Sequence, residues 1–314
     1  MSAPRRSRPS NRTLIRDRWS PADPPRRPVL FVNQRSGGGA AGRAGLVERA
    51  RDRRIKVVVL DPGQSLVTLV DEAVADGADA LGMAGGDGSL AVVAAAAAAH
   101  GLPFICVPAG TRNHFALDLG VDRHDVAGAL DAFGEGFERR IDLAEVNGRT
   151  FLNNVSLGIY GEAVRQSAYR NAKARTLVET AERVLGPSGK APALRLVDDA
   201  GREHARLAVV LVSNNPYALD SPVPGTRPSL DGGLLGILVI DTPGTGHPPG
   251  HAWSAPDFEV SAAAPAHAGI DGEAVTLSPP VLRFAIRPAA PRVRISNRRL
   301  GVSPHLRASH EPTD

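Results

Sequence analysis

The chain has 314 residues, 42% of them hydrophobic and 22% charged, with a formal net charge of +4. That composition excludes a disordered polymer, and the lone Cys106 excludes an intrachain disulfide scaffold and points to a reducing compartment. No apolar run approaches the length of a membrane span, and the N-terminal tail lacks the apolar core of a secretory signal, so the expected location is the cytoplasm. The charge is unevenly placed. Residues 1–27 carry eight arginines against Asp17 and Asp23, a local balance of +6 in a Pro/Ser-rich stretch that reads as a disordered tail. No aromatic or hydrophobic pattern supports a folded nucleic-acid module, and no nucleic-acid partner is expected.

From Pro28 a regular rhythm sets in. Residues 29–32 read as a buried strand that runs into Ser36-Gly37-Gly38-Gly39. Residues 44–51 read as helix and 55–60 as a second strand. Ser65 has the position of an N-cap for a helix carrying Leu66, Leu69, Val70 and Ala73 at helical spacing. The run 80–84 is a third strand, stopped by Gly85-Gly86-Asp87-Gly88-Ser89, and 90–99 is helix-prone. Residues 104–107 form a fourth strand, with a buried structural thiol at Cys106, and lead into Gly110-Thr111-Arg112-Asn113; 125–133 reads as a short helix. Strands alternating with helices imply a mainly parallel sheet covered on both faces.

Beyond Gly136 the pattern turns β-rich, with strands expected at 140–146, 150–157, 193–197, 205–212, 234–240, 257–261 and 281–286. Asn147-Gly148 and Asp271-Gly272 read as hairpin turns, 163–185 as a helix and 242–251 as a Pro/Gly loop. The expected fold class is therefore α/β: a parallel α/β nucleotide-binding domain at 28–137 and a sandwich-like β domain at 138–296. A cleft would separate them, and 297–314 would form a tail.

Three loops fall at the C-terminal ends of candidate parallel strands, the edge where open α/β sheets bind ligands. They offer Asn33, Ser36, Gly37 and Gly38; Gly85, Gly86, Gly88 and Ser89; and Gly110, Thr111 and Asn113. A glycine turn opening a helix aims free N–H groups and a positive dipole end at one point, which suits a phosphate. Asp87 does not fit plain anion binding and needs another task, such as holding Mg²⁺ or taking a proton. The plain alternative is an ordinary βα turn. Arg35, Arg43 and Arg112 could meet phosphate charge, though each is as readily a solvated surface arginine. Ile270-Asp271-Gly272-Glu273 supplies a second acidic turn, whose two carboxylates could divide into proton acceptor and Mg²⁺ ligand; its plain alternative is a hairpin turn. Gly37, Gly39 and Gly42 satisfy a dinucleotide-binding spacing with Asp61 beyond them, but Asn33-Gln34-Arg35-Ser36 separates the strand from the glycines, where that fingerprint wants a tight turn. The histidines lack zinc-ligand spacing, and no Gly-x-Ser-x-Gly elbow occurs.

Asn33-Gln34-Arg35-Ser36-Gly37-Gly38, Gly85-Gly86-Asp87-Gly88-Ser89, Gly110-Thr111-Arg112-Asn113-His114-Phe115-Ala116, Phe151-Leu152-Asn153-Asn154-Val155-Ser156-Leu157-Gly158 and Asp271-Gly272-Glu273 follow one another in that order. Together they resemble the diacylglycerol kinase catalytic-domain family, which includes bacterial soluble lipid kinases and sphingosine kinases and is distantly similar to NAD kinases. The resemblance covers about residues 28–296. It implies a two-domain lipid kinase using ATP and Mg²⁺, with a lipid substrate met at a membrane surface and a homodimer among the admissible assemblies. By position it implies that Gly86 to Ser89 cradle phosphates, that Thr111 contacts the nucleotide and that Asp61 lies near the adenosine part. Asp271 would accept the hydroxyl proton, and Glu273 would help hold the metal.

Three departures stand out. Gln34 occupies a common proline position, and His114 a common aspartate position. Leu230-Asp231-Gly232-Gly233-Leu234-Leu235-Gly236 has glycines at 232 and 236 where the family carries acids, which puts its structural Mg²⁺ site in doubt despite Asp231. The alternatives are a kinase for a soluble substrate such as NAD, a catalytically silent nucleotide- or lipid-binding module, and, further off, a dinucleotide oxidoreductase.

Overall fold

The computed structural model describes residues 19–159, 194–205, 207–218, 226–242, 250–278 and 280–297. The expected helix at 163–185, most of the loop at 242–251, the first 18 residues of the arginine tail and nearly all of the C-terminal tail lie outside them.

Ser20–Ala22 (β1), Pro28–Val32 (β2), Lys56–Val59 (β3), Ala80–Gly85 (β4), Pro103–Pro108 (β5), Gly136–Arg140 (β6) and the distant Arg292–Ser296 (β19) build a seven-stranded sheet in the order β1-β6-β19-β5-β4-β2-β3. From β19 to β3 all neighbours are parallel, while β6 runs antiparallel to β19 and β1. The runs in β2, β4 and β5 are buried along their whole length, as strands covered on both faces must be. Val29 and Phe31 enter one core while Leu30 and Val32 enter the other, following the two-residue period of a strand. Helices Leu46–Asp52 (α1), Leu66–Ala75 (α2), Asp87–Ala99 (α3) and His114–Asp118 (α4) complete these layers. Ser65 caps α2 as expected, its Oγ accepting from Thr68 N at 3.3 Å.

The second lobe comprises Leu143–Val146 (β7), Arg149–Phe151 (β8), Asn154–Gly158 (β9), Leu194–Val197 (β10), Glu203–His204 (β11), Leu207–Asn214 (β12), Leu235–Asp241 (β13), His251–Ala255 (β14), Asp257–Ala262 (β15), Ala266–Ile270 (β16), Glu273–Leu277 (β17) and Val281–Arg287 (β18). They form two antiparallel sheets, β11-β10-β15-β18-β7-β8 and β14-β13-β12-β9-β16-β17. One core, including Phe151, Leu157, Val210, Ile237 and Phe284, draws on both. Both Asn-Gly and Asp-Gly turns have positive φ at each residue (Asn147 48°, Gly148 78°; Asp271 49°, Gly272 83°), the pattern of a two-residue type I′ hairpin. Among the described residues, no helix is long and apolar enough to cross a membrane.

The structure departs from the sequence reading in several places. Residues 20–22, expected in the tail, pair with β6. The strand expected at 140–146 is two strands in two sheets, and 125–133 holds a 3₁₀ helix over Gly128–Phe133. β19, expected in the β-rich domain, returns to the middle of the first sheet. Its arginines hid it: Arg294 is 2% exposed, with Nε on Ala132 O at 2.8 Å, Nη1 on Glu138 Oε1 at 2.9 Å and Nη2 on Ala22 O at 3.0 Å. β6 and β7 separate at Asp142, which is buried. Its Oδ1 accepts from Ala289 N at 2.9 Å, and its Oδ2 accepts from Gly233 N at 2.7 Å and Asn215 Nδ2 at 3.1 Å.

Asp142→Ala would leave these three donors without that acceptor, at roughly 1–3 kcal/mol for each one left unsatisfied. Urea unfolding should therefore show a loss of at least ~3 kcal/mol, with a smaller loss for Asp142→Asn.

Candidate active site

β2, β4 and β5 are parallel, so their following loops leave the sheet at one edge. After β2, Asn33 N donates to Ala84 O at 2.9 Å and Asn33 Oδ1 accepts from Arg35 N at 3.1 Å, which anchors the loop beside β4. Ser36–Gly38 then make one 3₁₀ turn. Gly37 (φ 58°) lies so close to the backbone oxygens of Ala109 and Gly110 that a Cβ would overlap them, and a Cβ on Gly110 would come within 2.6 Å of Gly86 Cα. Glycine is what allows the three loops to touch. Gly86, the N-cap of α3, has no side chain to cap the first turn, and helix geometry leaves the N–H groups of Asp87, Gly88 and Ser89 without intrahelical acceptors. This end of a 13-residue helix is suited to phosphate oxygens.

The second lobe brings its acids to the same place. A Cβ on Gly88 would overlap the Glu273 carboxylate, and one on Gly272 would lie 3.8 Å from Arg112 Nη1. Asp271 Oδ1 accepts from Asn153 N at 2.8 Å and Asn154 N at 3.2 Å, and Oδ2 from Leu152 N at 2.9 Å. These bonds explain why the strand expected at 150–157 breaks into β8 and β9. A cleft of about 440 Å³ opens alongside, bounded by Ala91, Val92 and Ala95 of α3, Val67 of α2, Asp271 and Glu273.

Asp87 is 8% exposed; its Oδ2 accepts from His114 N at 3.3 Å, and its Oδ1 is buried with no hydrogen-bond partner. Burial pushes its carboxyl up to about 6, against the pull of the His114 and Phe115 N–H groups and of Arg227. Asp271 is pushed up to about 7, by burial first and the charge of Asp87 second, with its three N–H donors opposing. Asp271 feels the charge of Asp87, and Glu273 lies against Gly88 at the first turn of α3, although the three carboxylates do not converge as a ligand cluster among the described residues. The orphaned Asp87 Oδ1 lacks what a cation would supply.

Residues 27–146 match the family model described as the diacylglycerol kinase catalytic domain. The chain resembles that family over those residues. It is 33% identical over 122 residues to a diacylglycerol kinase of Mycobacterium tuberculosis, a match spanning 38% of this chain and only 40% of that protein. It is 29% identical over 298 residues to a Pseudomonas aeruginosa protein described as a YegS-like lipid kinase, spanning 85% of this chain and 93% of that one. The fold is shared with a crystal structure of a diacylglycerol kinase from Bacillus anthracis, at TM-score 0.59 and 17% identity over 88% of this chain and 98% of that one. Another solved chain from the same organism superposes at TM-score 0.65 and 18% identity, over 87% of this chain and 98% of that one.

The remaining candidate residues divide into loop-builders and exposed groups. Asn113 (φ 52°) is buried, its Oδ1 accepting from Gly110 N at 2.9 Å while Nδ2 donates to Gly110 O at 3.0 Å and Pro108 O at 3.3 Å; its amide closes the loop rather than facing a ligand. Arg43 likewise binds Gly38 O and, at 3.2 Å, Gly37 O. Thr111 is exposed, while Ser36 and Ser89 are half-buried at the loop edge. Asp61 is exposed after β3, its N–H donating to Gln64 Oε1 at 3.0 Å; among the described residues no hydrogen bond joins it to the three loops. Asp231, a candidate metal ligand, lies in an ion pair 2.6 Å from Arg139 Nη2. A Cβ at Gly232 would sit 2.8 Å from Asn215 Oδ1, and one at Gly236 2.6 Å from Pro216 Cα, so this backbone has no room for the family's acids there.

The histidine spacing did not reveal a cluster in the second lobe, where His251 Nε2 lies 2.7 Å from Asp199 Oδ1 and 3.8 Å from Asp198 Oδ2. Asp198 already accepts from Ala200 N, Arg202 N and Arg202 Nε, each at 2.9 Å, and clamps a turn. Sequence reasoning also missed Asp118 and Arg227, which carry no motif.

Because folding raises the Asp87 pKa from 3.8 to about 6, the native state favours its protonated form. That contribution is present below pH 3.8 and is lost as pH rises through about 6. In EDTA, Asp87→Asn should therefore gain stability relative to the parent between pH 4 and 7, by roughly 2–3 kcal/mol, then level off. Thermal melts at pH 4, 5.5, 7 and 8 check this; a constant difference across the series contradicts it.

Proposed function

We infer that this protein is an ATP- and Mg²⁺-dependent kinase for the hydroxyl of a membrane lipid, most simply diacylglycerol. The observation that carries the reading is the contact across the lobes: Glu273 lies against Gly88 at the first turn of α3, and the charge of Asp87 reaches Asp271. Gly88 of the first turn of α3 and two acids of the second lobe line one cleft, which supports a phosphate-transfer reading. The family match, and a relative described as a lipid kinase along most of the chain, support the same reading. Apolar cleft walls beside Asp271 favour an acceptor with hydrocarbon over a wholly polar one.

The loops of the first lobe would hold the triphosphate through backbone N–H groups. The acceptor hydroxyl oxygen would form a bond to the γ-phosphorus as the bond to the β,γ-bridging oxygen breaks, giving ADP and a lipid phosphate. The hydroxyl proton passes to Asp271, whose Oδ2 receives a single N–H and retains accepting capacity. Mg²⁺ held by Asp87 and Glu273 would neutralise charge developing on the phosphate oxygens. His114 takes no metal in this scheme; its backbone N–H holds Asp87.

The test is transfer of radiolabelled phosphate from ATP to a mixed lipid extract in vesicles, with NAD as a parallel acceptor. A labelled lipid phosphate is expected. Asp87→Ala and Asp271→Asn should each lower turnover at least ~100-fold. Normal turnover in both variants removes the assignment, labelled NADP redirects it to a soluble substrate, and ATP binding without transfer to any acceptor favours a silent binding module.

A further inference from the structure

One guanidinium links the supports of the two carboxylates. Arg227 is 1% exposed. Its Nε and Nη2 each lie 2.7 Å from Asp118 Oδ2 on α4. Nη1 donates to Leu152 O at 2.5 Å and Asn214 O at 2.7 Å, and Nη2 to Asn153 Oδ1 at 3.0 Å. Leu152 and Asn153 are two of the three residues whose N–H groups hold Asp271. Helix α4, which carries Asp118, begins at His114, whose N–H holds Asp87. One cation therefore grips the element behind each acid, through a planar fork that a lysine cannot reproduce.

The geometry points to Arg227 as a positioning residue: by bonding Asp118 in one lobe and Leu152 and Asn153 in the other, it fixes the register between the supports of Asp87 and Asp271. Its consequence for phosphoryl transfer rests on the kinase reading above; the register itself rests on the bonds alone. Small misplacement of reacting groups slows such chemistry strongly, whereas a pair serving stability alone would be replaceable by apolar side chains of similar size.

Two variants separate these roles: Arg227→Met, and the double variant Asp118→Leu/Arg227→Met, which removes the buried charges together. Amide hydrogen exchange is followed at Leu152, Asn153 and Asn154, with Val210 to Val212 of β12 as internal reference. Exchange at the three turn amides should quicken at least ~10-fold in both variants while the reference changes less than ~3-fold. In the double variant thermal stability should return toward that of the parent, yet kcat should stay at least ~30-fold down with KM for ATP within ~3-fold. Unchanged protection of the turn, or recovery of kcat along with stability, overturns the inference. Should Arg227→Met fail to fold, the double variant carries every readout. If the parent phosphorylates no lipid, the kinase reading falls, and the exchange arm alone decides whether Arg227 sets the register.

Discussion

Holding two carboxylates close together away from water is the constraint that organises this molecule. Burial raises the proton affinity of both Asp87 and Asp271, and the charge of Asp87 adds to the effect at Asp271. The protein offsets this with backbone: three N–H groups on Asp271, and the His114 and Phe115 N–H groups on Asp87. Backbone donors are fixed by the fold and need no side-chain ordering, so the acids are aimed before any ligand arrives. The cost is that strand regularity must be broken at Leu152–Asn153, and a non-glycine residue must accept φ 49° at Asp271. Aspartate tolerates that region better than most residues, and Gly272 beside it completes the tight turn.

Delivering those acids to one point requires the two lobes to be interleaved in sequence. β6 precedes the sandwich and β19 follows it, and the two lie side by side in the first sheet. The sandwich is thus an insertion whose entry and exit are hydrogen-bonded to each other. Asp142 at the entry accepts from Ala289 at the exit, so the junction is braced by a buried acceptor as well as by the strand ladder. A lobe tethered by both ends can present its β16–β17 turn to α3 with little freedom to drift.

This arrangement also explains what was legible in the sequence. The parallel strands and the glycine-aspartate turn could be read because apolar runs ending in glycine have few alternatives in an α/β chain. Asp271-Gly272 could be read as a turn because two successive positive φ values favour that pair. The strands flanking it were invisible: Ala-His-Ala-Gly-Ile and Glu-Ala-Val-Thr-Leu carry little of the alternation that marks a half-buried strand. β19 is hard to recognise in the sequence because a buried arginine reads as surface. Asn113 looked like a ligand contact because an amide in a glycine loop suits either task; only its three loop bonds show that it shapes the loop. Asp118 and Arg227 lie 109 residues apart, and no local pattern joins them.

The glycines at 232 and 236 are held against close neighbours. Gly232 N donates to Asn215 Oδ1 at 2.8 Å, and Asn215, with φ 68° and no exposure, in turn donates to Asp142. An acid at 232 would have to displace that amide, and one at 236 would meet the backbone of Pro216. The segment 213–216 therefore lies where larger side chains would need space, and glycine there is a packing requirement rather than an accidental loss of a metal ligand. Asp231, deprived of acidic neighbours at those two positions, pairs with Arg139 instead. The buried cation that the described residues do place between the lobes is a guanidinium, fixed covalently to the chain. Relative to a metal ion it cannot dissociate, and it imposes a planar geometry on its acceptors. Interlobe geometry in this chain is consequently set by bonds that folding itself supplies.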